Sequence, residues 1–436
     1  MRHGFQLPLS KRTLIVHAVN DLRDLPRRLA PVLDAALSAF PVVVLTGARQ
    51  TGKTTLVRHL LASSAQRTFR TLDELRILDL AQREPDLLLR EGDPLTLDEV
   101  QRAPGLLLAI KRSVDDDRRP GRFLLTGSAN LLLMQNVSET LAGRAVYLKL
   151  GPLTESEKQG RPGLGVWPAL LSATSVEQAL IAVAAQPRIS RPWSEAAAEG
   201  GYPPVLELQE PNRTRWFEGY VATYLERDLQ QLASISSLAD FRRLLEIAAL
   251  RVGGLINRAD LARDAALSRP TAHRYLNLLE VSFHLRPLQP YAKTRGKRLV
   301  KTPKLYLTDT GLCAHLAGSL SAPEIASASG APASGAFLEN LLLSHLDAMR
   351  ECLTPKPEVY FYRSADGAEV DFVLEHKRRL LPMEVKASSR ITARDLTALE
   401  RFLDEYSVPW GLVAYTGAES YAVSRRIAAV PVGALL

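Results

Sequence analysis

The apolar positions in the first third of the chain form short continuous runs separated by amphipathic stretches. The clearest run is 42–45, VVVL, which is typical of a strand buried on both faces of a parallel sheet. Apolar residues at helical spacing precede it in 25–40 and follow it in 55–62. We predict further strands at 70–73, 94–98, 122–126 and 145–150, and helical structure at 74–90. This alternation of strands and helices predicts an α/β fold with a parallel sheet.

The pattern changes after Pro152, where segments rich in Gly, Pro and Arg surround an Ala-rich helix. A helix is predicted over 212–232, and three helices and a strand-like segment follow between 240 and 290. Residues 317–334 are small and suit a linker or an exposed loop. Beyond them the order is helix, three strands, helix, strand. We therefore predict an N-terminal arm (1–25), a parallel α/β domain (26–155), a helical appendage (156–239), a three-helix domain (240–316) and a C-terminal α/β domain (317–436).

A glycine-rich loop joins the first buried strand to the next helix. Its sequence, GARQTGKT at 47–54, fits G-x-x-x-x-G-K-[ST], in which backbone N–H groups surround a β-phosphate and the lysine reaches the β and γ oxygens. The helix N-terminus favours the same anion. The loop therefore predicts binding of ATP or GTP with Mg²⁺, rather than a chance turn, with Thr54 as a metal ligand. The predicted nucleotide-binding residues are Gly47, Ala48, Arg49, Gln50, Thr51, Gly52, Lys53, Thr54 and Thr55.

Two adjacent carboxylates, Asp98 and Glu99, end the strand predicted at 94–98, about 45 residues after the loop. Phosphoryl transfer needs one carboxylate in the Mg²⁺ shell and a second group that polarises the attacking water. We assign Asp98 to the metal and Glu99 to the water.

Three polar residues farther along the chain are candidates for contact with the γ-phosphate. Ser128 and Asn130 follow the strand at 122–126, and either could report the phosphate or cap the next helix. Arg144 lies after a glycine and just before the strand at 145–150. It could reach a γ-phosphate in its own or a neighbouring subunit, or be an ordinary surface arginine.

Several motifs together resemble a known family. TGARQTGKTTL, LTLDEVQ, LLTGSAN, LAGRAVYLKLGPLTESE and GGYPPVLE are similar to the AAA-type ATPases that carry a C-terminal DUF4143 region. The resemblance implies ATP as the nucleotide and assigns the nucleotide machinery to Lys53, Asp98, Glu99 and Arg144. One departure is Thr96, which interrupts the apolar run usual before the acidic pair. ATP rather than GTP also agrees with the lack of a guanine-reading N-K-x-D motif.

The charge of +8 is concentrated in the middle of the chain. Residues 241–310 carry 14 Lys or Arg against 5 Asp or Glu, whereas 325–436 carry 12 against 14. The three helices and the strand-like segment predict a winged helix, whose second helix enters a DNA groove while the basic run 293–304 contacts phosphates. The alternative is a winged helix used only for protein packing. The candidate nucleic-acid contacts are Arg269, Thr271, Arg274, Lys293, Arg295, Lys297 and Arg298.

The C-terminal strands place acids and a lysine on one face. Glu384 and Lys386 alternate with Val385, and Asp371 can meet them from the adjoining strand. This resembles the PD-(D/E)xK nuclease core, which implies Asp371 and Glu384 as metal ligands, Lys386 as the water-activating group and Glu339 as a supporting acid. A degenerate nucleic-acid-binding core and a structural charge network remain open alternatives.

The totals add limits to this interpretation. No run approaches the 18 or so apolar residues of a membrane helix, and the first residues lack the apolar core of a signal peptide, so we expect a cytoplasmic protein. We predict an ATP-hydrolysing enzyme that acts on nucleic acid, DNA in the first instance, with a nuclease-like domain. The alternative is a nucleotide-dependent switch or scaffold with an inactive nuclease-like domain that binds a protein partner. A homo-oligomer is compatible with both.

Overall fold

The computed structural model describes residues 25–63, 67–128, 141–223, 237–294, 302–329 and 333–436. It contains a five-stranded sheet near the N-terminus, a group of helices in the middle and a six-stranded sheet near the C-terminus. Within these ranges, no helix is long and apolar enough to cross a membrane.

The first sheet consists of β1 (Val42–Thr46), β2 (Thr68–Thr71), β3 (Leu95–Asp98), β4 (Phe123–Gly127) and β5 (Ala145–Lys149). All its neighbours are parallel, in the order β2-β3-β4-β1-β5. The helices beside it are α1 (Ala30–Ala39), α2 (Lys53–Ser63), α3 (Leu75–Arg83), α4 (Pro85–Leu89) and α5 (Leu106–Asp116). The predicted parallel α/β fold is confirmed.

Helices cover both faces of this sheet, which explains the continuous apolar run of β1. Val42 and Val44 pack in a core with α3, α4 and α5, whereas Val43 and Leu45 pack in a second core with α1 and α2. Successive side chains of a strand alternate between faces, so a strand buried on both faces needs apolar residues throughout. The carboxyl ends of β1, β3 and β4 lie on one edge of the sheet, where α/β proteins bind ligands.

The middle of the chain is helical. Its helices are α6 (Glu155–Lys158), α7 (Trp167–Ser172), α8 (Val176–Ala184), α9 (Trp193–Glu199), α10 (Asn212–Tyr220), α11 (Leu238–Leu250), α12 (Arg258–Asp264) and α13 (Arg269–Val281). Ser237, Asn257 and Ser268 each cap one of the last three helices through a side-chain oxygen. An antiparallel pair, β6 (Leu285–Leu288) and β7 (Lys304–Leu307), follows α13.

The C-terminal part contains α14 (Thr310–Leu316), α15 (Ala322–Ser327), α16 (Ser334–Arg350), β8 (Glu358–Arg363), β9 (Glu369–His376), β10 (Arg379–Lys386), α17 (Ala393–Glu405), β11 (Gly411–Tyr415), β12 (Tyr421–Ala422) and β13 (Ile427–Pro431). Its sheet has the order β12-β13-β11-β10-β9-β8 and mixes parallel and antiparallel neighbours. The helix, three strands, helix and strand predicted from the sequence are all present, whereas β12 and β13 were not predicted.

One large apolar core extends from Val166 to Leu436 and joins the middle helices to one face of the C-terminal sheet. The prediction of a linker or an exposed loop at 317–334 is wrong for 322–327, where α15 lies. A capping box between Ser321 and Glu324 starts that helix, and Ile325 is fully buried on it. The sequence pattern did not indicate this helix, because it is short and only one of its residues, Ile325, is a large buried apolar residue. The predicted domain boundaries stay predictions.

Candidate nucleotide site and C-terminal acid cluster

The loop between β1 and α2 has the backbone of a phosphate-binding loop. Gly47 and Gly52 have φ values of 150° and 90°, and Gln50 between them has φ of 64°. A Cβ atom on Gly47 would lie 2.2 Å from the carbonyl oxygen of Leu150, so no larger residue fits there. Helix α2 begins at Lys53, and the free N–H groups of its first turn border the loop.

Lys53 is buried against the loop itself. Its Nζ donates hydrogen bonds to the carbonyl oxygens of Gly47 at 2.9 Å and Ala48 at 2.8 Å. Burial lowers the pKa of this ammonium to about 8, although Glu99 and Asp98 oppose the shift. Among the described residues Lys53 makes no ion pair with a carboxylate, so its charge is available to a phosphate.

Asp98 and Thr54 bring an acid and a hydroxyl together at the same edge. The Thr54 hydroxyl lies 3.1 and 3.3 Å from the two carboxylate oxygens of Asp98, and the Thr126 hydroxyl donates to that carboxylate as well. Hydroxyl and carboxylate oxygens are the ligands that Mg²⁺ prefers. The two residues predicted as metal ligands are therefore adjacent and chemically suitable.

Glu99 directly follows β3 in a left-handed conformation, with φ of 58°. Non-glycine residues adopt this conformation at an energetic cost, and it is common at functional sites. The Glu99 N–H donates to the Thr126 hydroxyl at 3.4 Å, and the side chain accepts from Gln101. The carboxylate is thus held on the edge of the sheet where the loop lies.

Ser128 lies at the end of β4 with a buried hydroxyl that has no hydrogen-bond partner among the described residues. Buried polar atoms are normally satisfied. A phosphate oxygen at the carboxyl edge would satisfy this one, which supports the predicted role of Ser128. Asn130 lies outside the described residues.

Arg144 lies at the amino-terminal ends of the strands, opposite to the ends where the glycine loop lies. It precedes β5, whose first residue pairs with Val42, the first residue of β1. Five strand residues at about 3.3 Å each separate it from the loop by roughly 16 Å. Its guanidinium forms a two-pronged ion pair with Asp115, at 2.6 and 2.8 Å. This placement does not suit contact with a nucleotide in its own chain and leaves action on a neighbouring subunit as a prediction.

Arg27, which was not predicted from the sequence, holds the glycine loop through a hydrogen bond to its backbone. Its guanidinium donates to the carbonyl oxygens of Thr51 at 2.6 Å and Gly151 at 2.7 Å, and pairs with Glu157 at 3.2 Å. Its partners are up to 130 residues away, and no local motif marks such a contact. The only local signal is an arginine pair directly before the helix that leads into β1.

The middle helices also touch the loop. The Tyr220 hydroxyl donates to the carbonyl oxygen of Arg49 at 3.4 Å and contacts His284 at 3.0 Å. Pro203 lies within 3.7 Å of a Cβ built on Gly52. The motif GGYPP at 200–204 is therefore placed next to the loop that it follows by some 150 residues.

The predicted nucleic-acid residues are partly described. Arg269 and Arg274 are exposed on α13, Thr271 is half-buried in its first turn, and Lys293 is exposed after β6. Arg295, Lys297 and Arg298 lie outside the described residues. Lys304, the last residue of the predicted basic wing, corrects that prediction, because it is buried at the start of β7.

The residues predicted for the nuclease-like site do lie together. Lys386 Nζ donates to Glu384 Oε1 at 2.7 Å, and the N–H of Val385 donates to Asp371 Oδ2 at 2.8 Å. The other oxygen of Glu384 is buried without a hydrogen-bond partner among the described residues. We call Glu339, Glu369, Asp371 and Glu384 the acid cluster.

A lysine that sequence reasoning missed sits inside the acid cluster. Lys304 Nζ is 2.5 Å from Glu369 Oε1, 3.2 Å from Glu339 Oε2 and 3.6 Å from Asp371 Oδ1, and its side chain is 3% exposed. No three His, Cys, Asp or Glu side chains in the described ranges are arranged to hold one metal ion. The predicted acids are grouped, but around an ammonium.

Burial and charge act in opposite directions in this cluster. Burial, together with Asp371, raises the pKa of Glu339 to about 7 and the pKa of Glu384 well above its usual range. Burial alone would lower the pKa of Lys304, but Glu339, Asp371 and Glu369 raise it above its ordinary value. For Lys386 the same opposition, with Glu384 as main partner, also raises the pKa. Both shifts favour the charged form of the ammonium, and the water-activating role of Lys386 stays a prediction.

Three family models match the chain. An AAA domain model, AAA_14, matches residues 39–158, and two domains of unknown function, DUF8612 and DUF4143, match 190–322 and 334–435. An uncharacterized protein of Mycobacterium tuberculosis is 32% identical over 413 residues, covering 94% of this chain and 84% of that protein. One of Haemophilus influenzae is 27% identical over 232 residues, covering 51% and 52%.

Solved structures overlap more loosely. The Walker-type ATPase PABY2304 of Pyrococcus abyssi is 16% identical and covers 68% of this chain and 99% of its own, at a TM-score of 0.41. RuvB of Thermotoga maritima is 19% identical and covers 59% and 88%, at 0.28. The parallel sheet and the glycine loop define a P-loop ATPase. With the matched relatives, the chain belongs to the AAA_14/DUF4143 family of such ATPases, as its motifs predicted.

Proposed function

We propose that this protein hydrolyses ATP with Mg²⁺ at the carboxyl edge of its first sheet and uses the nucleotide state to act on DNA through α13. The observation that carries the hydrolytic part is the contact of Thr54 with Asp98, next to the buried ammonium of Lys53. These three groups supply a metal-binding hydroxyl, a metal-binding carboxylate and a phosphate-binding cation.

Each residue at this edge has a distinct proposed role. Thr54 and Asp98 would hold Mg²⁺, which when bound neutralises charge on the phosphate oxygens. Lys53 and the loop N–H groups would bind the β- and γ-phosphates, and the Ser128 hydroxyl would contact the γ-phosphate. Glu99 would orient the attacking water and accept its proton.

A route from the loop to the middle of the chain supports nucleotide-dependent action. Tyr220 contacts the Arg49 carbonyl on one side and His284 on the other, and His284 directly precedes β6. A shift of the loop on nucleotide binding would therefore displace Tyr220 and His284, and His284 adjoins the antiparallel pair that follows α13.

Unpaired positive charge on α13 supports the DNA part. On the neighbouring helices and the turn after α11, Arg243, Arg251 and Arg263 each pair with an aspartate. Arg269 and Arg274 on α13 are exposed, and neither pairs with a carboxylate of the described residues. Three helices followed by an antiparallel pair also match the order of a winged helix, in which α13 would be the recognition helix.

A second candidate function is a nucleotide-dependent switch or scaffold that binds a protein partner. The lysine within the acid cluster favours it, because an ammonium in that place argues against an active nuclease. Cleavage by Asp371, Glu384 and Lys386 stays a prediction. A homo-oligomer stays a prediction, and it would allow Arg144 to reach a nucleotide of the neighbouring subunit.

The hydrolytic proposal is tested by phosphate release with Mg²⁺ and ATP. Glu99→Gln should lower turnover at least about a hundredfold while nucleotide binding is retained, because the general base is lost. The matched control is Asp79→Asn, an exposed acid paired with Arg83 on α3, which should leave turnover within about twofold. Full turnover in Glu99→Gln would refute the assignment.

The DNA proposal is tested by the salt dependence of binding to a labelled duplex. Arg269→Ala and Arg274→Ala should each weaken binding and reduce the slope of log affinity against log salt by about 1. Arg263→Ala removes an exposed but ion-paired arginine and should change the slope little. A wild-type affinity that does not depend on salt would favour the switch that binds a protein.

A further inference from the structure

The acid cluster is built from three elements, of which β10 contributes Glu384, and a lysine from a fourth element lies among the other three acids. Glu339 comes from α16, Glu369 and Asp371 come from β9, and the lysine among them comes from β7, more than 30 residues earlier in the chain. Glu384 pairs with Lys386, whereas Glu339, Glu369 and Asp371 each have an oxygen within 3.6 Å of the Lys304 ammonium. This is the position that a divalent cation would need in order to share those oxygens.

Protein donors occupy most oxygens of these acids, and Oε2 of Glu384 is the buried one that has no partner among the described residues. Asp371 uses one oxygen for the N–H of Val385 and the other for Lys304, and Glu369 also pairs with Arg363 at 3.2 Å. Glu339 accepts a hydrogen bond from the Tyr306 hydroxyl at 2.6 Å. The residues present therefore do not fit a metal ion in this arrangement, although the resemblance to PD-(D/E)xK nucleases implies one.

We propose that the Lys304 ammonium takes the place of the divalent cation in the acid cluster, so that the C-terminal domain binds no metal there and does not cleave nucleic acid in this arrangement. The cluster instead joins the β6–β7 hairpin to the C-terminal sheet. Lys304 and Tyr306 are two residues apart on β7 and therefore lie on the same face. Both donate a hydrogen bond to the carboxylate of Glu339. The proposal does not depend on hydrolysis at the first sheet.

Direct measurement of bound Mn²⁺ tests this proposal. Electron paramagnetic resonance of the full-length, nucleotide-free protein would use an Asp98→Asn background to remove the metal position near the loop. In that background, adding Asp371→Asn should leave Mn²⁺ binding unchanged. Lys304→Ala should create one new Mn²⁺ site, at least tenfold tighter than any other, and Asp371→Asn should abolish it. Lys356→Ala, which removes a surface lysine paired with Glu351, is the matched control.

Three results would overturn the proposal. The first is Mn²⁺ binding by the Asp98→Asn protein that Asp371→Asn removes. The second is a folded Lys304→Ala protein with no new site. The third is DNA cleavage by the wild type with Mn²⁺ that Asp371→Asn abolishes. If Lys304→Ala fails to fold, the first and third comparisons still decide, because neither uses that variant.

Discussion

Two buried lysines lie near carboxylates in this chain, and their immediate surroundings are opposite. Lys53 donates to two backbone carbonyls and touches no described carboxylate, while the nearby Asp98 is held by two threonine hydroxyls. Lys304 lies within 3.6 Å of three carboxylates. In the first region the ammonium and the carboxylates are kept apart, and in the second they are in direct contact.

The pKa shifts follow from this difference. Burial lowers the pKa of Lys53 to about 8 because no carboxylate contact compensates for the lost water. Burial also acts on Lys304, yet its three acids raise the pKa above the ordinary value. At the glycine loop, the charged form of Lys53 is thus poorly stabilised until an anionic ligand such as a phosphate binds. In the second region the ammonium already occupies the position between the three acids, so a further cation would have to displace it.

The largest expected difference concerns stability. Lys304→Met should lower the free energy of unfolding by about 3–5 kcal/mol, because it leaves buried carboxylates without their cation. Lys53→Met should cost at least about 2 kcal/mol less, since only hydrogen bonds to carbonyls are lost. Urea denaturation measures both. Adding Glu369→Gln to Lys304→Met should recover part of the loss, and equal losses in the two single variants would contradict the comparison.

The next expected difference concerns catalysis, where the Lys53 substitution should have the larger effect and the Lys304 substitution the smaller one. Lys53→Met should lower ATP turnover at least about a hundredfold, because a charge on the phosphates is lost. Lys304→Met should leave turnover within about threefold wherever it remains folded, as shown by circular dichroism. Turnover that falls equally in both variants would mean that Lys304 is needed at the nucleotide site as much as Lys53 is.

Sequence reasoning located the first region well because its signals are local. The strand, the glycine loop and the acidic pair lie in a parallel sheet whose strands end on one edge, so spacing along the chain is enough to bring Lys53, Thr54 and Asp98 together. Arg27 was not predicted because its partners lie up to 130 residues away and two of them are backbone carbonyl groups. No residue pattern marks a carbonyl acceptor.

The second region shows the limit of the same reasoning. Period-2 alternation grouped Asp371, Glu384 and Lys386 correctly, since they lie on adjacent strands of one hairpin. The basic run 293–304, by contrast, led to the prediction that Lys304 is part of an exposed wing, because a buried lysine and a solvated one look alike in sequence. Only the packing of β7 against α16 and β9 distinguishes a buried lysine from a solvated one.

A smaller effect concerns protons at the nucleotide site. Phosphate oxygens raise the pKa of an ammonium that contacts them. At a pH where Lys53 of the free protein is deprotonated, nucleotide binding should therefore be accompanied by the uptake of a proton. At pH 9, above the Lys53 pKa of about 8, binding of Mg²⁺-ATP should take up close to one proton, and affinity should fall as pH rises through 8. Calorimetry in buffers of different ionisation enthalpy measures this. Binding at pH 7 is the control and should show almost no uptake from Lys53, and the absence of uptake at pH 9 would contradict the assignment.

The smallest expected effect concerns His345, a buried neutral group that connects the two regions. Its Nε2 accepts from the N–H of Glu155, and its Nδ1 donates to Leu341 on α16, the helix that carries Glu339. Burial lowers its pKa to about 4, below the unfolded value of about 6.5. Between these values the unfolded chain binds a proton that the folded protein does not, so stability should fall as pH decreases, by up to about 1 kcal/mol per unit. His345→Gln should reduce this slope in urea unfolding between pH 7 and 5, whereas His273→Gln, on the exposed side of α13, should leave it unchanged. An unchanged slope in His345→Gln would show that this histidine accepts a proton in the folded protein, and the junction between the regions would then be open to water.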